Sequence, residues 1–159
     1  MTSRPAWLPP LVELADYHGD WATYEATLYE IFRADFITSA PQFEGQPVGL
    51  KRHPMIQGKE ATYWHCISEG KGEADRLPDM RRCERIRWPR PCIEHETELK
   101  VWTEERHGED RIHLWLENEG YLVVLAVRNG YVILWTTFFV KFDHERRKFN
   151  RRYEAAKKS

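Results

Sequence analysis

Residues Arg111 to Val140 read RIHLWLENEGYLVVLAVRNGYVILWTTFFV and predict three consecutive β-strands. The dipeptide Asn129-Gly130 separates two apolar runs, and Asn-Gly is the strongest short-range signal for a type I′ hairpin, which needs positive φ at both central residues. A two-residue turn makes Arg128 pair with Tyr131. The predicted register continues with Val127 opposite Val132, Ala126 opposite Ile133, Leu125 opposite Leu134, Val124 opposite Trp135, Val123 opposite Thr136, and Leu122 opposite Thr137.

Side chains alternate along a strand, so this register predicts a sheet with two unlike faces. The aliphatic face should lie under helices and carries Val123, Leu125, Val127, Val132 and Leu134, extended by Ile112, Leu114 and Leu116. The second face is aromatic and partly polar and carries Leu122, Val124, Ala126, Arg128, Tyr131, Ile133, Trp135 and Thr137, extended by His113, Trp115 and Glu117. This second face either binds a ligand or is covered by another layer of the protein.

The remaining segments predict an α+β fold in which residues 1–159 form a single domain. A helix from Asp20 to Ile37 has an apolar stripe that should cover the aliphatic face. Further expected elements are strands at Pro47–Arg52, Thr62–Ser68 and Glu98–Glu105, a helix at Leu77–Trp88 that Pro89 stops, and a basic helix at 143–156. We therefore expect N-terminal helices packed on a four- to five-stranded antiparallel sheet, with an extended arm over residues 1–13 and a basic C-terminal helix or tail over residues 143–159.

Composition excludes several classes of protein. The chain has 159 residues, of which 42% are hydrophobic, so one ordinary core can form. Three Cys, Cys66, Cys83 and Cys92, without CxxC spacing argue against a disulfide framework and a structural zinc site. The N-terminus lacks the apolar segment of a signal peptide, and no apolar run reaches transmembrane length. We expect a soluble, cytoplasmic protein without a membrane partner.

Positive charge is concentrated locally although the whole chain has a net charge of −1. Residues Arg76 to Arg90 contain six Arg against two acidic residues, and residues Lys141 to Ser159 contain eight Lys or Arg against three acidic residues. Local basic patches matter more than the total charge when the partner is a phosphate backbone. Either patch binds nucleic acid or an acidic partner, or is a solvated helix face.

A histidine and lysine set precedes the arginine-rich segment. His53, Lys59 and His65 combine two groups that exchange protons near neutral pH with a cation that stabilises phosphoryl charge. Together with the arginines they form the set that metal-free RNA cleavage needs, because the 2′-hydroxyl of RNA is itself the nucleophile. Such a reaction requires neither a metal nor a cofactor. The alternative is that these histidines only satisfy local hydrogen bonds.

The run RRCERIRWPR, from Arg81 to Arg90, is the most concentrated candidate binding segment. Guanidinium groups bind phosphate with paired hydrogen bonds, and Trp88 beside them could stack on a base. The alternative is a solvated helix face on which Glu84 pairs with Arg81 or Arg85.

Metal and cysteine chemistry are disfavoured. The chain has no HExxH motif and no DxDxDG loop, so we assign no metal ligand. On the predicted strand, His65 and Cys66 point to opposite faces, which argues against a catalytic Cys–His pair.

The order of these segments resembles the BECR-fold nucleases, which include barnase, EndoU endoribonucleases, colicin-type tRNases, RelE-type toxins and many phage and bacterial proteins. The resemblance rests on RHPMIQGKEATYWH (Arg52 to His65), PDMRRCERIRWPRPCIE (Pro78 to Glu94) and LWTTFFV (Leu134 to Val140). The last strand of that group often reads L-x-T-A-Y-P, which matches Thr136 to its hydroxyl and Phe138 to its aromatic residue, whereas Phe139 stands where its proline is. The face assignment favours Thr137 instead, and a β-bulge would reverse that choice.

The resemblance implies a metal-independent endoribonuclease that cleaves RNA, with a role as a toxin or phage-defence effector and an antitoxin or immunity protein as a further partner. The expected catalytic residues are His53, Lys59, His65, Arg81, Thr136 and Thr137. The expected substrate-binding residues are Arg82, Arg85, Trp88, Trp115, Arg128, Tyr131 and Trp135. The alternative is a non-catalytic module that binds nucleic acid or protein through the arginine-rich helix and the aromatic sheet face.

Overall fold

The computed structural model describes residues 4–72 and 75–158, and these residues have an α+β architecture. The α-helices are α1 (Trp21–Arg33), α2 (Ala61–Ile67), α3 (Met80–Glu84), α4 (Pro89–Glu94) and α5 (Asp143–Lys157). The strands are β1 (Gln42–Phe43), β2 (Gln46–Leu50), β3 (Ser68–Glu69), β4 (Leu77–Pro78), β5 (Lys100–Arg106), β6 (Glu109–Leu116), β7 (Tyr121–Val127) and β8 (Val132–Phe139). A π-helical turn at Ala34–Thr38 continues α1, so the predicted first helix is confirmed.

The main sheet has six strands in the order β1-β2-β8-β7-β6-β5. The predicted meander is confirmed, since β5 to β8 pair antiparallel in chain order. The expectation of a wholly antiparallel sheet of four to five strands is wrong, because β2 pairs parallel with β8, where Val48 lies opposite Val132. A parallel pair needs a long crossover connection. Here that connection is the chain from α2 to β7. No local pattern in the sequence predicts this parallel pairing.

Helices cover the aliphatic face, as predicted. Leu114, Val123, Leu125 and Leu134 are completely buried there. The short helices α2, α3 and α4 lie closest to these strands. Helix α1 contributes its buried stripe to the same core, in which Tyr24, Leu28 and Phe32 share one cluster with the sheet residues.

Two elements in the middle of the chain differ from the prediction. The expected strand at Thr62–Ser68 is helix α2, because Tyr63, Cys66 and Ile67 are buried at helical spacing against the core. Aromatic and apolar residues in that run suggested a strand, and tertiary packing overrides such a preference.

The expected helix at Leu77–Trp88 is interrupted. Residues Leu77–Pro78 form β4, α3 begins after the cap Asp79, and Pro89 begins α4 rather than ending a helix. Proline suits the first turn of a helix because its missing N–H needs no partner there.

The N-terminal arm packs on the domain through Trp7 and Leu8. Trp7 stacks on His95 with ring centroids 4.5 Å apart, and Leu8 is buried. Residues 1–3 of the predicted arm lie outside the described residues.

The second face is partly covered by α5, which confirms the predicted C-terminal helix. A separate cluster of Trp102, Trp115, Leu122, Val124 and Val140 packs against Phe149 and Tyr153 of this helix. The part of the face toward the β5–β6 turn stays open. The alternative that another layer covers this face is therefore partly confirmed, and ligand binding on the open part stays a prediction.

Candidate functional site

A β-bulge in β8 decides which threonine faces the open part of the sheet. The predicted register holds as far as Leu125 opposite Leu134, and it then shifts by one residue at Trp135. Thr136 consequently lies opposite Val124, and Thr137 opposite Val123. The predicted pairs beyond Leu134 are wrong because an extra residue in one strand reverses the facing of every residue after it.

The bulge gives the two threonines different surroundings. Thr136 is half-buried on the aromatic face, and its hydroxyl donates to the carbonyl oxygen of His65 at 3.4 Å. Thr137 is completely buried, with its hydroxyl beside the thiol of Cys66 and the phenol of Tyr121. Thr136 is therefore the threonine that can reach a ligand.

Two cationic side chains lie against the indole ring of Trp135. The guanidinium carbon of Arg111 lies 4.1 Å from its ring centroid, and the ammonium of Lys51 lies 5.2 Å from it. The His65 ring meets the indole edge-on at 6.4 Å. Sequence analysis assigned Trp135 to base stacking, whereas its ring already carries two cations.

His65 is held at the bulge by its own ring and by its backbone. Its Nδ1 lies 3.3 Å from the carbonyl oxygen of Trp135. A carbonyl oxygen only accepts, so this contact favours the tautomer that carries its proton on Nδ1 and leaves Nε2 as an acceptor. Arg82 donates to the carbonyl oxygen of His65 at 3.0 Å and thereby ties α3 to α2.

An open cleft of about 330 Å³ lies beside the bulge on the second face. We call it the bulge cleft. Its lining combines cationic or imidazole groups with aromatic rings and no carboxylate among the described residues: Arg106, His107, Arg111, His113, Leu122, Val124, Trp135, Thr136, Phe138, Phe149 and Arg152. Phe138 keeps 37% of its surface exposed, and the guanidinium of Arg82 lies 4.9 Å from its ring centroid. Such a cleft suits a ligand with both negative charge and flat rings.

Carboxylates outside the lining orient the cleft arginines. Arg152 donates to Glu104 at 2.7 Å, and this hydrogen bond is the main reason that the pKa of Glu104 falls to about 2. Arg111 donates to Glu109 at 3.1 Å, which lowers the pKa of that carboxyl. Both carboxylates are ionised at neutral pH and hold the guanidinium groups in place.

His113 acts as a neutral partner in the cleft wall. It stacks on Trp102 with ring centroids 4.9 Å apart, and its Nε2 lies 3.3 Å from Arg152 Nη2. Burial is the main cause that lowers its pKa to about 4, so the ring is uncharged at pH 7. His113 therefore accepts from Arg152 rather than adding a positive charge.

Of the six predicted catalytic residues, Thr136 lines the cleft, His65 contacts the lining residue Trp135, and Thr137 is buried, whereas the other three do not join this cleft. Lys59 makes an ion pair with Glu25 at 2.7 Å, among the rings of Tyr29, Tyr63 and Trp64. That pairing stabilises the N-terminal core. Arg81 is exposed and pairs with Glu84 at 3.2 Å, whereas His53 is exposed in the segment after β2.

Two predicted substrate-binding residues on the arginine-rich segment are core residues. Arg85 is only 8% exposed, with its guanidinium 4.0 Å from the ring centroid of Phe139. Trp88 is completely buried and donates to the carbonyl oxygen of Pro9 at 2.9 Å. Arg82 is likewise 7% exposed, so its role is to fix His65 rather than to contact phosphate directly. Trp88 belongs to the core of the aliphatic face, whereas Arg82 reaches His65 and Phe138 beside the bulge.

The remaining predicted substrate-binding residues lie outside the lining of the cleft. Trp115 is buried under α5 and donates to Asn150 at 2.9 Å. Arg128 pairs with Glu109, and Tyr131 is exposed at the β7–β8 turn. Residues that sequence reasoning missed are Lys51, Arg106, His107, Arg111, Phe138 and Arg152. Strand alternation could have identified Arg111, because it lies on the same strand face as His113. Lys51 and Arg152 belong to elements that are distant in the chain, so no local pattern identifies them.

The described residues contain no group of three or more His, Cys, Asp or Glu side chains arranged to hold a metal ion. The three cysteines are buried and unpaired, and burial raises the pKa of Cys66 to about 12. Such a thiol is a poor nucleophile. Within the part of the chain that the structure describes, no helix is long and apolar enough to cross a bilayer.

Comparisons with family models, with curated proteins and with solved structures found no match to this chain.

Proposed function

We propose that the protein binds RNA in the bulge cleft and cleaves it without a metal ion, through the 2′-hydroxyl of the RNA. One observation carries the proposal: Trp135 and Thr136 line the cleft at the bulge, and Trp135 contacts the His65 ring and the cations of Lys51 and Arg111. This constellation overlaps the expected catalytic set in His65 and Thr136. The BECR-type resemblance remains an expectation that agrees with it.

The reaction would proceed by transesterification. His65 Nε2 takes the proton of the 2′-hydroxyl, whose oxygen then attacks the adjacent phosphorus. The Thr136 hydroxyl turns from the carbonyl oxygen of His65 and donates its hydrogen bond to a non-bridging phosphate oxygen, while Lys51 and Arg111 stabilise the phosphorane charge. His107, which lines the same cleft, gives a proton to the leaving 5′-oxygen. The products are a 2′,3′-cyclic phosphate and a 5′-hydroxyl.

Cleavage of a labelled single-stranded RNA in excess chelator tests this proposal. We expect 2′,3′-cyclic phosphate ends, and a loss of about 100-fold in rate for His65→Gln because general acid–base catalysis contributes about that much. His144→Gln is the matched control, since His144 is exposed outside the cleft. Intact RNA contradicts cleavage, and unchanged cleavage in a His53→Ala/His65→Ala double variant contradicts the catalytic role of His65.

A second candidate is a module that binds RNA without cleaving it. It is favoured by the positions of Lys59, Arg81 and His53, because all three lie away from the cleft and leave His65 as the one predicted histidine at the bulge. Salt-dependent binding of RNA by the wild type, lost in Arg111→Gln and accompanied by no cleavage products, supports this candidate.

The biological role in the proposal is that of a cytoplasmic toxin or phage-defence effector, restrained by an antitoxin or immunity protein. Induced expression in a bacterial host tests that role. The wild-type chain should arrest growth and His65→Gln should not, with equal amounts of both proteins verified by immunoblot. Equal growth of both strains contradicts it.

A further inference from the structure

Helix α5 joins the bulge cleft to a row of exposed cations. Phe149 and Arg152 line the cleft, and both belong to this helix. Next to these two residues in the helix, Arg147, Lys148 and Arg151 are exposed. The side chains of α5 thus lead from the cleft onto the outer surface of the helix.

These three cations differ from the arginines of the cleft in their pairing. Arg111 and Arg152 each have a carboxylate partner. Arg147, Lys148 and Arg151 make no ion pair with any residue that the structure describes. Of the acidic residues of the helix, Glu154 pairs with Lys157 at 3.8 Å, and Asp143 and Glu145 lie in the first turn, where they complement the helix dipole.

We infer that the ligand of the bulge cleft is a single-stranded RNA whose backbone continues from the cleft across α5, where Arg147, Lys148 and Arg151 neutralise successive phosphates. This inference rests on the proposed function and adds the form of the substrate and its path. Arg147 and Arg151 are one turn apart, about 6 Å along the helix axis, which is comparable to the spacing of phosphates in an extended strand.

The chemistry of the surfaces favours a single strand. The open face of Phe138 offers a stacking platform, and bases in a duplex are stacked on one another and unavailable to it. The exposed side chains of α5 are charged residues, His144 and Ala155, and the exposed Phe142 precedes the helix at its N-terminal end rather than lying among the three cations. Protein interfaces have an apolar, often aromatic centre, so this surface suits a phosphate backbone better than an acidic protein.

Binding of 2′-O-methyl RNA of 4 and 12 nucleotides tests the path, because this RNA lacks the nucleophile and stays intact. The wild type should bind the 12-mer at least about tenfold more tightly than the 4-mer. An Arg147→Gln/Lys148→Gln/Arg151→Gln variant should lose that gain and keep its affinity for the 4-mer. Its salt dependence for the 12-mer should fall by about 2 in the slope of log K against log salt, given about 0.7 per phosphate contact on a single strand.

The matched control is Arg33→Gln/Lys71→Gln/Arg87→Gln, which removes the same charge from exposed positions outside α5 and the cleft. It should bind both oligonucleotides as the wild type does. Circular dichroism establishes that both triple variants are folded.

The outcomes separate the two proposals. Equal wild-type affinity for both lengths overturns the path and leaves the cleft as a site, whereas absence of all RNA binding overturns the proposed function itself. A folded α5 variant that also loses the 4-mer, or an equal loss in the control variant, overturns the path. So does tighter binding of a 12-bp duplex, or displacement of the 12-mer by an equal concentration of polyglutamate, which would point to an acidic protein.

Discussion

Charged side chains on the second face are fixed by neighbours that do not themselves line the cleft. Glu104 orients Arg152, and Glu109 orients Arg111. A guanidinium that is already held loses less conformational freedom when it binds phosphate, so affinity benefits from preorganisation. The same carboxylates reduce the net positive charge, and exposed cations on α5 supply the charge that the cleft lacks.

His113 should make the stability of the protein depend on pH. Burial lowers its pKa to about 4, so between pH 6.5 and 4 the unfolded chain binds more protons than the folded one. The free energy of unfolding should therefore fall as the pH drops through this window, with His113 contributing on the order of 3 kcal/mol. Urea denaturation at pH 7 and pH 4, followed by tryptophan fluorescence, measures the change.

The variant His113→Phe keeps an aromatic ring against Trp102 and should lose this part of the pH dependence. His144→Gln, at an exposed position, should keep it. Identical pH profiles for His113→Phe and the wild type would reject burial of a neutral imidazole. Glu104 acts in a lower window: its pKa is lowered, so its stabilisation is lost as the pH falls from 4.5 toward 2.

We expect Lys59 to stabilise the fold and to have no role in RNA binding. Its replacement by Met leaves the carboxylate of Glu25 largely buried without its cation, which we expect to cost about 3 kcal/mol of unfolding free energy. A Glu25→Gln/Lys59→Met double variant should recover part of that loss because it removes the unpaired charge. RNA affinity of the folded protein should be unchanged. A Lys59→Met protein with wild-type stability but weakened RNA binding would restore the phosphate-binding role.

At the scale of elements, the bulge in β8 changes which residues of the hairpin face the cleft. Its first half follows the register that the Asn129-Gly130 turn imposes, and the extra residue at Trp135 then turns Thr136 toward the cleft. Helix α2 contributes to this arrangement, because the carbonyl oxygen of its His65 accepts a hydrogen bond from the Thr136 hydroxyl. A strand at the position of α2, as predicted from its apolar run, would not present that carbonyl group.

The two threonines provide a test of the bulge. Thr136→Val removes the hydroxyl that faces the cleft and should slow RNA cleavage about tenfold, which corresponds to a loss of about 1.4 kcal/mol of transition-state stabilisation. Thr137→Val alters a buried position and should leave the cleavage rate of the folded protein unchanged. Rate measurements on both variants at saturating RNA decide the matter, and the opposite pattern would mean that Thr137 faces the site.

At the scale of the whole molecule, one sheet separates two cores. The larger core lies under α1 to α4, and the smaller one lies under α5. Both cores use side chains of strands β6 and β7, on opposite faces of the sheet. Loss of packing in one core therefore also destabilises the strands on which the other core packs. The cleft is the part of the second face that α5 leaves open.

This shared sheet predicts a single cooperative unfolding transition. Tryptophans report on both cores, since Trp88 lies in the larger one and Trp115 in the smaller one. Urea curves from tryptophan fluorescence and from far-ultraviolet circular dichroism should therefore superimpose. Trp88→Phe and Trp115→Phe variants assign the fluorescence to each core, and separate midpoints for the two would contradict the coupling.

The sequence by itself determined the elements whose signals are local. The Asn-Gly turn, the alternation of β5 to β8, the apolar stripe of α1 and the basic character of α5 all depend on neighbours within a few residues. These signals predicted an α+β fold, a meander and two unlike faces. Residue type also identified His65, and strand phase identified Trp135, whereas strand phase favoured Thr137 and only the resemblance to the BECR-fold nucleases indicated Thr136.

Only the tertiary structure decided which candidates meet. The parallel pairing of β2 with β8 brings Lys51 to Trp135, and the crossing of α5 brings Arg152 to His113. Both contacts join segments that are far apart in the chain. The bulge likewise depends on how β8 fits against α2 and β7 together, since hairpin chemistry alone favours the regular register. Burial then made Arg85 and Trp88 core residues, because side chains on a helix can be assigned to solvent or core only when its packing partners are known.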